Sequence, residues 1–274
     1  IVAPAVRAGH SVDVYLDIVA SGAEDEKAAF SRVNGQVRSL EADVDNLASV
    51  LEESIANAGG RLAYFLARQK PEDLQLPRGR AAKRLPPRLS KYPPLSDVVG
   101  KNLLRRYQTA EHLAGLAAAS GKDYDFVLWT RDDDHWLGPL DLDHFLADSK
   151  ASGRVYSKGC LTWDGVNDKT LLFGRKAAEA MLGSLYKDFW LRDKRLEGTK
   201  NAEMFLKAFA EVKGAEPVSV PFGQLPTADS VFLQPVQGAK PQLCQKERYL
   251  CKGLPSDSSF EQPRPCGELA GAQA

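Results

Sequence analysis

The chain has 274 residues, 43% hydrophobic and 26% charged, with 36 Lys plus Arg balanced by 36 Asp plus Glu. That size suits one large domain, or one domain with a tail, and the composition excludes a wholly disordered or fibrous polymer. A formal charge of zero argues against nucleic acid as a partner and against a membrane grip by charge alone, and no run approaches the roughly 20 apolar residues of a bilayer span.

Residues 1–10 read as the end of a helix closed by Gly9. The stretch 12–19 (VDVYLDIV) is rich in β-branched and aromatic residues and alternates as a strand does. From 36 to 58 the apolar positions Val37, Leu40, Val44, Leu47, Leu51 and Ile55 recur at three and four, an amphipathic helix stopped by Gly59-Gly60. A short strand is expected at 62–66. Residues 69–97 are proline-rich, and between Asp73 and Asp97 they carry Arg78, Arg80, Lys83, Arg84, Arg88 and Lys91 with no acid. Two readings stay open there: a solvated mobile loop, or a loop that folds over an anion such as a diphosphate.

Residues 102–120 are helical by period, with Leu103, Leu104, Tyr107, Leu113 and Leu116 on one side. The run 124–129 (YDFVLW) is short and nearly all apolar, as a central parallel strand buried on both faces would be. Further strands are expected at 169–173 and 217–221, and helices at 175–186 and 201–213. Alternating strands and helices make an α/β sandwich with a mostly parallel sheet. After about 237, proline, glycine and polar residues dominate, which predicts a loosely ordered tail. That tail holds Cys244, Cys251 and Cys266; with Cys160 they make four cysteines, spaced for no zinc knuckle, and either disulfides or free thiols fit.

The segment that carries chemistry is 124–134, an apolar strand followed by Thr130, Arg131 and then Asp132, Asp133 and Asp134. Ligands of open α/β sheets bind beyond the carboxyl ends of strands. Three adjacent carboxylates repel unless cations sit among them; Arg131 neutralises one, and Mg²⁺ or Mn²⁺ suits the rest. A surface Asp-rich turn capping a helix is the plainer alternative. His135 is a possible further ligand, though a histidine beside a tryptophan is more often structural. Trp136 and Trp163 could stack on a sugar face, though core packing is the more frequent fate of a tryptophan.

This arrangement resembles the DXD signature of GT-A glycosyltransferases, in which acidic residues after a strand hold the donor's ribose and a diphosphate-bound divalent metal. Three other segments resemble the same kind of enzyme: 102–108 (NLLRRYQ) opening the preceding helix, 164–168 (DGVND) followed by 171–174 (LLFG), and 201–203 (NAE) before the strand at 218–221. The resemblance runs from about residue 1 to 235 and is strongest from 102 to 222. It implies a GT-A-like Rossmann-type fold over 1–236, with 237–274 as the tail. It also implies that the chain opens inside the first helix, so that VDVYLDIV is the second strand and the first strand is absent.

By that resemblance, Asp132 and Asp134 would hold Mn²⁺ or Mg²⁺. Arg131, Asp132, Asp133, Asn102 and Arg105 would contact the nucleotide-sugar donor. Glu203, Asp168 and Asp164 are the candidates to deprotonate the acceptor, a glycan or glycoprotein. Eukaryotic enzymes of this type are lumenal in the Golgi or endoplasmic reticulum, held by an anchor that this chain does not show. The alternatives are a non-catalytic GT-A-like module that binds saccharide or a partner, and a Mg²⁺-dependent phosphoryl-transfer or hydrolase domain. The latter lacks a Walker-type glycine loop.

Overall fold

The computed structural model describes residues 1–19, 44–68, 73–74, 76, 79–83, 85–131, 134–233 and 242–245. It opens with α1 (Val2–Arg7), then β1 (Asp13–Val19), α2 (Val44–Asn57) and β2 (Arg61–Arg68), with β1 and β2 paired in parallel. The earlier part of the helix expected from residue 36 lies outside the described residues. α2 stops where expected because Gly59 takes φ +82°, a conformation that side chains disfavour. Acids of β1 meet arginines of β2, Asp13 with Arg61 at 2.7 Å and Asp17 with Arg68 at 2.5 Å.

After the short helix α3 (Gly79–Ala82) comes α4 (Val98–Ala119), which begins four residues before the periodicity suggested. Asp97 sets that start: its carboxylate accepts from the backbone N–H of Val99 and Gly100 at 2.7 and 3.2 Å, a helix N-cap. The remaining elements are β3 (Phe126–Thr130), β4 (Asp134–Trp136), α5 (Leu142–Leu146), β5 (Arg154–Lys158), β6 (Thr170–Gly174), α6 (Arg175–Leu182), α7 (Ala202–Val212), β7 (Glu216–Val220), β8 (Thr227–Leu233) and β9 (Gln242–Gln245).

The chain is thus a mixed α/β protein, but its sheets are small. One has four strands in the order β3-β6-β5-β7, another has three in the order β4-β8-β9, and β1-β2 stand as a pair. Parallel pairing occurs in β1–β2 and β5–β7, while β6 runs antiparallel to both β3 and β5. The expectation for 124–129 therefore needs correction. β3 is half-buried, pairs antiparallel with β6, and is the outer strand of its sheet among the described residues. An apolar run reports the presence of neighbours, and it is silent on the direction in which they run. β1 meets the segment that leads into β3 through side chains: Tyr15 and Tyr124 hydroxyls lie 3.0 Å apart, and Asp13 accepts from Tyr124 at 2.6 Å and Lys122 at 2.9 Å.

Alternation along the strands splits the core into two layers. Val155, Leu171 and Phe173 join α4, α6 and α7 on one face, while Tyr156 and Leu172 join Phe145 and Leu140 on the other. The larger layer centres on aromatic rings, with Phe205 stacked between Tyr107 and Phe209 at centroid distances of 5.5 Å each.

Residues 85–97 are anchored at buried positions while other positions face solvent. Leu89 is fully buried, and Arg88 lies over the rings of Phe189 and Phe205 at 6.0 and 5.9 Å and donates to the Leu191 carbonyl. The tail likewise contributes order at its start, since β9 adds to β8 and Cys244 is fully buried. Cys160 and Cys244 are both disulfide-bonded, and no cysteine among the described residues is free.

Replacing Phe205 by alanine removes the ring that three other aromatics pack against. The expected cost is about 3–5 kcal/mol, read as a fall in the denaturant midpoint with an unchanged slope. A loss under 1 kcal/mol would mean that the aromatic stack is not the centre of this layer.

Candidate functional site

Of the acidic run, Asp134 alone lies among the described residues. Asp134 opens β4 and turns inward, with its side chain wholly out of solvent. Its Oδ1 accepts from Lys158 Nζ at 3.1 Å and its Oδ2 from Thr170 Oγ1 at 2.6 Å. Lys158 Nζ also donates to the carbonyl and the hydroxyl of Thr227, both at 2.8 Å, so its three protons are spoken for. Burial lowers the proton affinity of this lysine, and Asp134 works against that. Asp134 is thus buried against an ammonium and a hydroxyl, which disfavours a second cation at the same carboxylate. Asp132 and Asp133 lie outside the described residues.

A second ion pair runs beside the first, Lys169 to Asp229 at 2.7 Å. Both are buried charges in the sense that matters energetically: their desolvation is offset only while each keeps its partner.

The carboxylates that do come together are Asp168 and Glu203. Asp168 follows the loop 161–167, and Glu203 sits in the first turn of α7, behind the Asn201 cap, whose side chain accepts from Met204 N at 2.9 Å. Burial, and then the charge of Asp168, push the Glu203 carboxyl up to about 7, against the opposing pull of Arg106 and Lys91. Asp168 itself is held by Arg106 Nη2 at 3.2 Å and Arg131 Nη1 at 3.7 Å. Tyr107 lies within the same field; burial, Asp168 and Glu203 all raise its phenol.

Arg106 escaped the sequence reading, and Lys91 entered it only as one of six bases of the proline-rich segment. Arg106 projects from the polar side of α4, where its neighbour Arg105 had been the candidate; Arg105 donates instead to Asn102 on its own helix at 2.7 Å. No pattern in the sequence separates the two arginines, because only the helix rotation fixed by Leu103, Leu104 and Tyr107 decides which one faces Asp168. Lys91 is carried to the site by the anchored segment 85–97, whose backbone pairs with that of 199–200 through Ser90 N to Thr199 O at 3.2 Å and Lys91 N to Lys200 O at 3.0 Å.

The loop before Asp168 is strained and tightly mounted. Leu161, Trp163 and Asp164 have φ of +56°, +46° and +70°, a region that non-glycine residues avoid at a cost of about 1–3 kcal/mol each. Three contacts hold it. Asn201 Nδ2 donates to the Trp163 carbonyl at 3.2 Å, Val166 N donates to Glu203 O at 3.2 Å, and the Asn167 side chain donates to Cys160 O at 3.3 Å. Gly165 presses on the Glu203 backbone so closely that a β-carbon there would overlap its carbonyl. Asp164 is exposed on the rim of a cleft of about 310 Å³ shared with Arg195, Glu197, Thr199 and Lys207. The three candidate bases thus divide, with Asp168 and Glu203 in one electrostatic unit and Asp164 at its edge.

The two tryptophans divide as well. Trp136 packs against the smaller core layer and donates to Thr130 Oγ1 at 3.3 Å, whereas Trp163 is 51% exposed. His135 lies in β4 opposite Ala228 of β8. Among the described residues no group of three or more His, Cys, Asp or Glu is arranged to hold a metal ion.

No protein-family model matches the chain, and no curated protein or solved structure matches it either. The site is therefore argued from its own chemistry.

Lys158→Met leaves Asp134 charged and buried with one donor fewer, and should cost about 3–5 kcal/mol. Pairing it with Asp134→Leu removes both charges and should restore much of that loss. Chemical denaturation of both single variants and the double variant measures the interaction; strict additivity would show that the pair does not bind the two sheets together.

Proposed function

We propose that this chain transfers a sugar from a nucleotide-sugar donor to a saccharide or protein-linked acceptor, with Glu203 as the general base. The observation that carries the reading is the Asp168–Glu203 pair, in which one carboxyl is poised near neutrality beside the Arg106 and Arg131 guanidiniums. A base with a proton affinity near the working pH combines a usable ionised fraction with real proton-accepting power.

In a single displacement, Glu203 takes the proton of the acceptor hydroxyl, and that oxygen attacks the anomeric carbon as the bond to the diphosphate breaks. Configuration at that carbon inverts, and the proton stays on Glu203 until solvent removes it. Arg131 stands at the end of β3 and, with Arg106, supplies fixed positive charge where the leaving diphosphate gains negative charge. Asp168 keeps both guanidiniums in place and raises the proton affinity of Glu203. Asp164 lies outside this step.

The metal belongs to the proposal through Asp132 and Asp133 alone, because Asp134 is committed to Lys158 and Thr170. The described side chains do not by themselves make a metal site. A lumenal location is also part of the proposal, and the disulfide-bonded Cys160 and Cys244 support an oxidising compartment.

Glu203→Gln should lower turnover by about 10²–10⁴-fold. In the wild type, rate should rise with pH as Glu203 ionises and level off above about 7. Stability should move the opposite way. The folded protein holds the Glu203 proton between the ordinary 4.5 and about 7, so stability falls as pH rises through that window. The glutamine variant should show a flatter profile there; an unchanged profile would remove Glu203 from the role of base.

Donor binding has its own readout. Mn²⁺ with a nucleoside diphosphate or its sugar should stabilise the folded chain by about 2.7 kcal/mol at a hundred times the dissociation constant. Asp132→Asn and Asp133→Asn should each abolish that gain while leaving the unliganded melting temperature in place. The transferase reading fails if neither UDP-sugars nor GDP-sugars shift the wild type with Mn²⁺ or Mg²⁺ present.

A further inference from the structure

We propose that Trp163 is the platform for the acceptor, stacking on the C–H face of a pyranose whose free hydroxyl then reaches Glu203. The inference rests on the transferase reading and adds to it the place and chemical class of the acceptor.

Two features of Trp163 are unfavourable for the free protein, and they coincide at one residue. Its ring is 51% exposed, so a large apolar surface is left in water. Its backbone sits at φ +46°, between the similarly left-handed Leu161 and Asp164. A core tryptophan would not show the first feature, and a tryptophan on a slack loop would relax the second.

This loop is not slack. Asn201 holds the Trp163 carbonyl, Val166 holds the Glu203 carbonyl, and Asn167 is buried while bonding to Cys160. Strain kept in place by so many contacts fixes the ring on a rigid mount, and a rigid aromatic face binds at low entropic cost.

The position of the mount selects the ligand. Residues 163–168 wrap the first turn of α7, from Asn201 beside Trp163 to Glu203 beside Gly165 and Val166. A molecule lying on the ring is thereby brought to the turn that carries the base, which is where the attacking hydroxyl belongs. The flat, electron-rich ring suits the apolar face of a pyranose, and the exposed carboxylate of Asp164 next to it can accept from a sugar hydroxyl. Arg195 and Lys207 continue that rim along the cleft, giving further donors to hydroxyls of a second sugar.

The test uses the full chain labelled with 5-fluorotryptophan, with the Trp163 ¹⁹F resonance assigned by its loss in Trp163→Phe. The probes are methyl pyranosides of the common hexoses and N-acetylhexosamines, free and linked to a short peptide; these two arms separate a free-glycan acceptor from a glycoprotein one. At least one sugar should shift the Trp163 resonance and leave that of Trp136 unmoved. With that sugar as acceptor, Trp163→Ala should raise its KM tenfold or more, and Trp163→Phe should restore most of the affinity. Hydrolysis of donor by water alone should stay within about twofold in both variants.

A Trp163 resonance that responds to no sugar overturns the inference, as does one that responds to UDP or GDP without sugar, since the ring would then belong to the donor. An unchanged acceptor KM in Trp163→Ala overturns it too. If donor is neither bound nor hydrolysed while sugars still shift Trp163, the platform stands and the transferase reading falls.

Discussion

One buried cation holds this architecture together. Lys158 ends β5 in the four-stranded sheet, and its ammonium reaches Asp134 at the start of β4 and Thr227 at the start of β8, both in the three-stranded sheet. Thr170, which opens β6, donates to the other oxygen of Asp134. Two sheets that share no backbone ladder among the described residues are thereby joined at one polar knot. A charge so far from water is stable only when its partners are complete, so the knot tolerates little slippage of one sheet along the other. The direction in which β4 leaves the Arg131 turn follows from that restriction.

The consequence for the site is a division of labour among charges. Asp134 spends its charge inside, where it ties β4 to β5 and β6. Asp168 pairs with Arg106 and Arg131, and its charge adds to the burial that chiefly raises Glu203. A functional carboxyl of this kind needs a charged neighbour, and Asp168 beside the two guanidiniums is that neighbour for Glu203.

What was legible in the sequence followed the period of its apolar residues. α2, α4, α6 and α7 appear where Leu, Val and Phe recur at three and four, and β1, β2, β6 and β7 appear where short β-rich runs stand between turns. β5 and β8 were illegible because each carries inside it the polar groups that the knot requires: Ser157 and Lys158 in one, Thr227 and Asp229 in the other. A buried lysine reads as a surface residue until its partner is known, and that partner lies 24 residues away in Asp134. For the same reason the acidic run was read as a single cluster, although the chain turns Asp134 to the interior. Glu203 and Asp168 were legible as candidates only through the resemblance of their segments, since a helix start and a turn explain an acid at either place without any function. Their meeting depends on Gly165, which lets the loop touch α7.

The order of these parts along the chain matters for biosynthesis. Lys158 and Asp134 are made well before Thr227, and Lys169 before Asp229. During vectorial synthesis the nascent α/β layers can collapse around β5 and β6 while two lysines still lack acceptors from β8, and those ends must remain hydrated until then. Closure of the interior therefore waits on nearly the last described segment of the chain. A ribosome paused short of residue 227 would hold a chain in which Lys158 and Lys169 still lack the β8 partners Thr227 and Asp229.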